Sequence, residues 1–399
     1  MNASPNPDSA VEHIRRFHQE LIAIRHDLHA HPELGYHEVR TSDIVAAKLE
    51  SWGIEVHRGI AKTGVVGVLK GTQSGSGRAI GLRADMDCLP MHEAGDVAYK
   101  SQNAGAMHAC GHDGHTTMLL GAARYLAQTR NFDGIAYLIF QPAEEGGGGG
   151  KMMVQEGLFE RFPAGEIYAL HNWPGLPPGK IGVRPGAILA ATDQIQINVC
   201  GKGGHGAMPH LAIDPVVIAA QIITALQTIA SRNVNPVDSV VVSVCSMQTS
   251  QFGAYNVIPD AVALMGTVRS FRPETRDLAE TRLRELVDGI ARAMGGGAEI
   301  TYRRGYPATV NTEREARFAA KVGEKIFGAE NVVTDGDPNM GGEDFSYMLQ
   351  ARPGAYVLLG QGGAATGCFL HSAKYDFNDE VIPLGAGYLA ALVEEALPR

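Results

Sequence analysis

Near residue 187 the chain changes its construction rule, and this restricts its possible folds more than any other feature. Before that point, strand-length apolar runs alternate with helix-length amphipathic stretches. The strands read as 64–69, 79–85, 135–140 and 167–173, with helices at about 9–31, 41–52 and 112–127 and one more after the glycine run 146–150. Ser9 and Glu12 form a capping box at the first helix start, and Pro32 and Gly53 end the first two helices. From 188 onward the order becomes strand 194–201, helix 214–232, strand 239–247, strand 261–271, helix 274–294 and strand 298–305. That β-α-β-β-α-β order is ferredoxin-like. Alternation then resumes with helix 312–327, strand 354–360 and helix 383–396. The expected fold is a two-domain α/β protein. A mostly parallel sheet, from residues 1–187 and 305–399, is interrupted by an α+β insert at 188–304.

Composition removes several function classes. A net charge of −9 argues against non-specific nucleic-acid binding and gives no reason to expect a membrane surface. No apolar run is read as approaching the roughly 18 residues of a membrane span. The opening "MNASPNPDSA" has neither a basic nor an apolar signal region, so no signal peptide is expected. Cys88, Cys110, Cys200, Cys245 and Cys368 are scattered and odd in number, which fits a reducing compartment and suggests the cytoplasm.

Ligand-type residues recur where strands end. "LRADMDCLP" delivers Asp85 and Asp87, "HACGHDGH" carries Cys110 and His112, and "ALHNW" ends on His171. "FQPAEEGGGGG" sets Glu144 beside Glu145, and "HSAKYDFND" begins with His371. Each alone has a plainer reading as a polar turn or a structural histidine. Open α/β sheets, however, collect their sites at the carboxyl ends of strands, and one metal site would account for all of them together. Thiolate with imidazole favours zinc or a similar transition metal. Adjacent side chains in extended backbone point to opposite sides, so one glutamate can bind metal while the other faces a water. A hydrolase needs that division of labour.

In family order over nearly the whole chain after residue 10, these stretches resemble the M20 metallopeptidases. Within that family the match is to the branch that cleaves N-acyl amino acids: hippurate hydrolases, aminoacylases and auxin-conjugate hydrolases. Further matching stretches are "RHDLHAHPELGYHE", "GKGGHGAMPH", "NVIPD", "GTVRSF" and "GGEDFSYM". The resemblance implies a catalytic zinc-peptidase-like α/β domain with two divalent ions (zinc, manganese, cobalt or nickel) and an inserted dimerisation and lid domain. Carried over, Cys110 bridges the ions, His112 and His171 complete one site, and Glu145 and His371 the other. Glu144 is the general base and Asp87 an acid beside the metals. Asp85, which stands where other M20 branches place a metal-binding histidine, is not expected to be a ligand. His205 reaches the partner subunit's active site to stabilise the oxyanion, Asn256 and Arg269 hold the substrate, and Gly342 lines the pocket. The implied substrate is a small N-acyl amino acid, with a dipeptidase or carboxypeptidase of the same fold as the alternative, and the implied assembly is a homodimer or a dimer-based homo-oligomer.

Overall fold

The computed structural model describes residues 9–73, 75–363 and 369–399, so Cys368 lies outside the described residues. The chain divides into two compact units. The first takes the described residues up to Ile188, with Val310–Asp337 and Asp344–Arg399; the second takes Leu189–Thr309 and Pro338–Glu343. The second unit therefore runs past the expected end at 304 and includes a segment read with the other domain. The backbone explains this: Ala190 N–H donates to Asn339 O (3.1 Å) and to Gly341 O (2.9 Å), which ties the returning segment to the start of the unit.

The principal strands are β1 (Glu55–Ile60), β2 (Gly64–Lys70), β3 (Ala79–Asp85), β4 (Ile135–Gln141), β5 (Glu166–Pro174), β6 (Ile181–Gly182), β7 (Ala191–Cys200), β8 (Val240–Thr249), β9 (Ala261–Ser270), β10 (Gly297–Arg304), β11 (Val332–Val333) and β12 (Gly354–Gly362). In the first unit they form one eight-stranded sheet, ordered β1-β2-β4-β3-β5-β12-β6-β11. The central strands β4, β3, β5 and β12 are parallel. Their near-continuous burial is what a sheet covered on both faces requires. The antiparallel β1–β2 edge is joined by the three-residue connection 61–63, in which Ala61 and Lys62 both adopt positive φ (50° and 73°). Because the central strands are parallel and in register, their carboxyl ends share one edge. Asp85 pairs with Gln141, and His171 with Leu358.

The single helix expected over 9–31 is split into Ala10–Arg15 and His18–Ala30. The break lets the first piece pack mainly on the helix Ile382–Ala396 and the second mainly on His112–Thr129. Ser9 caps the first piece by accepting from Glu12 N–H, as the capping box implied.

The second unit is a four-stranded antiparallel sheet, ordered β8-β9-β7-β10. The helices Pro215–Thr228 and Pro273–Ala293 pack on one face of it, burying Ile218, Ile222, Leu226, Leu283 and Val287 against Ile195, Ile197, Val262 and Leu264. The helical stretch Pro215–Asn233 is long and apolar enough, at mean hydropathy 1.2, to pass for a membrane span by length and composition. The reading of the sequence missed this. In the fold the stretch contributes a core helix.

Candidate metal centre

Each ligand-type residue is delivered by an element whose end is set by packing. Cys110 and His112 flank Gly111 (φ 93°), where the chain turns into the helix His112–Thr129. A Cβ on Gly111 would lie 2.3 Å from Asn172 Oδ1, so only glycine fits this turn. His171 lies near the end of β5, and Glu144 and Glu145 follow β4 by a few residues. His371 sits at φ 63°, and its N–H donates to Ala109 O (2.7 Å), which ties the last segment to the Cys110 turn.

The structure brings these five donors together in the first unit. Cys110 Sγ is 3.5 Å from His171 Nε2, and Glu145 Oε1 is 3.3 Å from His371 Nε2 and 4.0 Å from His112 Nε2. Donor atoms of Cys110, His112 and His171 lie within 4.8 Å of one another, as do those of Cys110, Glu145 and His371. Cys110 belongs to both sets. His112, Glu144 and Glu145 form a third such group.

Asp87 orients two members of the cluster. Its Oδ1 lies 3.2 Å from His112 Nδ1, and its Oδ2 accepts from Glu145 N–H at 2.9 Å. His171 Nδ1 is held by Asn172 O (2.7 Å), so its Nε2 faces the cluster. Asp85 has two close partners of its own, with His115 Nδ1 2.6 Å from Oδ1 and Arg83 Nη1 donating to Oδ2 at 2.7 Å, while the same Oδ2 lies 3.7 Å from His112 Nε2. His115 also reaches Asn172 Oδ1 at 2.5 Å, so Asp85 and His115 brace the site from behind.

The donors fit divalent cations. His112 Nε2 is buried, and no hydrogen bond reaches it. Burial, reinforced by Glu145, Glu144 and Asp85, pushes the Cys110 thiol well above its ordinary range. Burial opposes a charged His112, but Asp85, Asp87 and Glu145 outweigh it and push the group up to about 10. Burial, with His115 beside it, holds His171 well below its ordinary value, as a neutral ligand requires. The cluster thus gathers buried negative charge that divalent cations would neutralise. A direct consequence is proton release. Metal loading of the apo-protein at pH 8 is expected to expel roughly two protons, one from Cys110 and one from His112, and apparent affinity is expected to weaken as pH falls. Calorimetric titration in buffers of different ionisation enthalpy measures the number, and loading without proton release would contradict the assignment.

The remaining expected residues belong to the second unit. His205 and Asn256 are neighbours there: β-pairing joins His205 to Val257, and Gly206 N–H donates to Asn256 O at 2.7 Å. Arg269 lies on β9, lining a hollow of about 530 Å³ with Gln194, Gln196, Thr267 and Arg303. Arg269 Nη1 donates to Val268 O, and no ion pair engages Arg269 among the described residues. Burial lowers its pKa from the ordinary arginine value. Gly342 has a packing reason, since a Cβ there would meet Thr192 Cγ2 at 2.2 Å.

Comparison with known proteins settles the family. The sequence profile of Peptidase family M20/M25/M40 matches residues 81–395. The chain belongs to this family. It is 43% identical over 373 residues to a hippurate hydrolase of Campylobacter jejuni, covering 94% of this chain and 95% of that protein. It is 39% identical over 390 residues to an IAA-amino acid hydrolase of Arabidopsis thaliana, covering 96% and 86%. A crystal structure of a dinuclear metal binding peptidase of the M20 family from Bacillus subtilis superposes with TM-score 0.81 at 32% identity, covering 96% and 99%. The fold of this M20 hydrolase is therefore the family's, and its donor set fits two divalent ions.

Glu38 was not singled out from the sequence, although "HPELGYHE" contains it. The only signal there was the motif as a whole, because its partner lies 105 residues away.

Proposed function

We propose that this M20 enzyme hydrolyses the amide bond of N-acyl amino acids, yielding a carboxylic acid and a free amino acid. The observation that carries the reading is the division between two adjacent glutamates. Glu145 faces His112 and His371, while Glu144 is buried beside the same cluster. The hippurate-hydrolase and auxin-conjugate-hydrolase relatives support the substrate class.

Cys110, His112, His171, Glu145 and His371 would hold the two ions. When bound, the ions polarise the scissile carbonyl and lower the pKa of the attacking water. Glu144 accepts the water's proton as the C–O bond forms and delivers it to the departing nitrogen as the C–N bond breaks. Asp87 keeps His112 and the Glu145 backbone in place. In this reading the enzyme works as a homodimer. His205 donates to the developing oxyanion of the partner's substrate, and Asn256 and Arg269 take the substrate's carboxylate or acyl end, the planar guanidinium being suited to both carboxylate oxygens. Gly342 is assigned to the pocket wall.

The test is a panel of N-benzoyl, N-acetyl and indoleacetyl amino acids beside free-amine dipeptides, assayed after chelation and after restoring zinc, manganese, cobalt or nickel separately. Blocked substrates are expected to be cleaved faster than dipeptides, and only with metal restored. Chelator-resistant turnover, or a preference for free amines, would overturn the reading.

A further inference from the structure

We propose that Glu38 is a positioning residue for the Glu144 base, its buried carboxylate clamping the left-handed turn that leads directly into Glu144. This rests on the assignment of Glu144 as base. Ala143, immediately before Glu144, is fully buried at φ 53°, a conformation that L-residues with a Cβ avoid. Such strain persists only where the surroundings over-determine it, and it concentrates at functional sites.

The surroundings here are specific. Ala143 N–H donates to Glu38 Oε1 at 2.8 Å, and Gly149 N–H donates to Ala143 O at 3.0 Å. Thr63 Oγ1 donates to Glu38 Oε2 at 2.6 Å, which fixes the carboxylate. The Ala143 methyl is walled in, since a Cβ on Gly35 would approach it to 3.0 Å and one on Gly147 to 2.7 Å. Tyr36 Oη donates to Gly147 O at 2.8 Å. The segment 35–38 therefore grips the 143–147 loop at three points. On the far side of Glu144, Asp87 holds Glu145 N–H. The backbone around the base is thus pinned by one buried carboxylate before it and another after it. No ion pair engages Glu38 among the described residues, so its contribution runs through the hydrogen bonds its carboxylate accepts.

The left-handed residue redirects the chain just before the pair, where Glu145 lies 3.3 Å from His371 and Glu144 is buried beside the same cluster. Loosening the turn displaces the base without removing any ligand.

The experiment uses metal-loaded enzyme with N-benzoylglycine and three variants, Glu38→Asp, Glu38→Gln and Tyr36→Phe, each also combined with Glu144→Gln. Glu38→Asp keeps the charge but withdraws the acceptor from Ala143 N–H. It is expected to lower kcat about 10- to 100-fold with KM and metal content unchanged. Glu38→Gln retains an oxygen acceptor and is expected to restore kcat to within about threefold of the parent. Tyr36→Phe, at a partly exposed position where folding is not at risk, is expected to lower kcat about threefold. In the Glu144→Gln background none should reduce the residual rate further, because groups acting through one residue are not additive. A folded Glu38→Asp enzyme with kcat within twofold of the parent would overturn the proposal. So would losses that track metal content, or losses that multiply with Glu144→Gln. If Glu38→Asp fails to fold, unchanged kcat in Tyr36→Phe overturns it alone. Full activity in Glu144→Gln itself would instead remove the base assignment and the clamp with it.

Discussion

Glu144→Gln is expected to lower kcat by about 10²- to 10⁴-fold, the contribution ordinarily made by a positioned general base. The substitution keeps the shape of the side chain and removes its ability to accept a proton. The convergent donors remain: Cys110 near His171, and Glu145 between His112 and His371. Metal content should therefore stay at the parent level, and KM should change little. Steady-state kinetics on N-benzoylglycine, with metal analysis of the same sample, checks both. Retention of more than about a tenth of the parent kcat would end the assignment of Glu144 as base.

Cys110→Ala should be more destructive to the centre than removal of any other donor. Cys110 is the one residue common to the Cys110–His112–His171 and Cys110–Glu145–His371 sets, so under the proposed assignment its loss would withdraw a ligand from both positions at once. Metal content is expected to fall from about two ions per chain to below one, with at least a 100-fold loss of activity at micromolar metal. His371→Ala is the control. Its side chain is about half exposed and belongs to one set, so it should lose a single ion and respond to added metal. Because metal bound to the native state stabilises it by mass action, the melting temperature of Cys110→Ala should no longer rise when metal is added, whereas that of the parent should. Equal metal content in the two variants would rule out a bridging thiolate.

Much of this architecture is legible in local sequence because it is governed by local physics. Period-two and period-3.6 apolar patterns report which faces are buried, and the short apolar run 135–140, bounded by Gly134 and Pro142, reads as a covered strand. The switch at residue 187 is visible for the same reason: a β-α-β-β-α-β unit needs its own sheet, and the pattern restarts to build one. What local pattern did not reveal were pairings between residues distant in the chain. Asp85 is not expected to be a ligand, but its actual partners, Arg83 and His115 on its two oxygens, are not legible. The helix over 9–31 reads as continuous, yet its halves pack mainly on different partners and it breaks between them. Pro338–Glu343 carries no periodic signal, and only its backbone bonds to Ala190 place it with the second unit.

The sequence by itself determined the strand-and-helix order, the insert and the residue types able to bind metal, because burial pattern and ligand chemistry are properties of short stretches. Tertiary structure alone decided which of those residues face one another. Cys110 comes to belong to two donor sets, Asp85 is held by Arg83 and His115, and the segment 35–38 reaches across 105 positions to hold the turn before Glu144. The physical reason is that a hydrogen bond or a shared ligand position depends on distances of about 3 Å, and chain segments far apart in sequence acquire such distances only when the sheet aligns their ends.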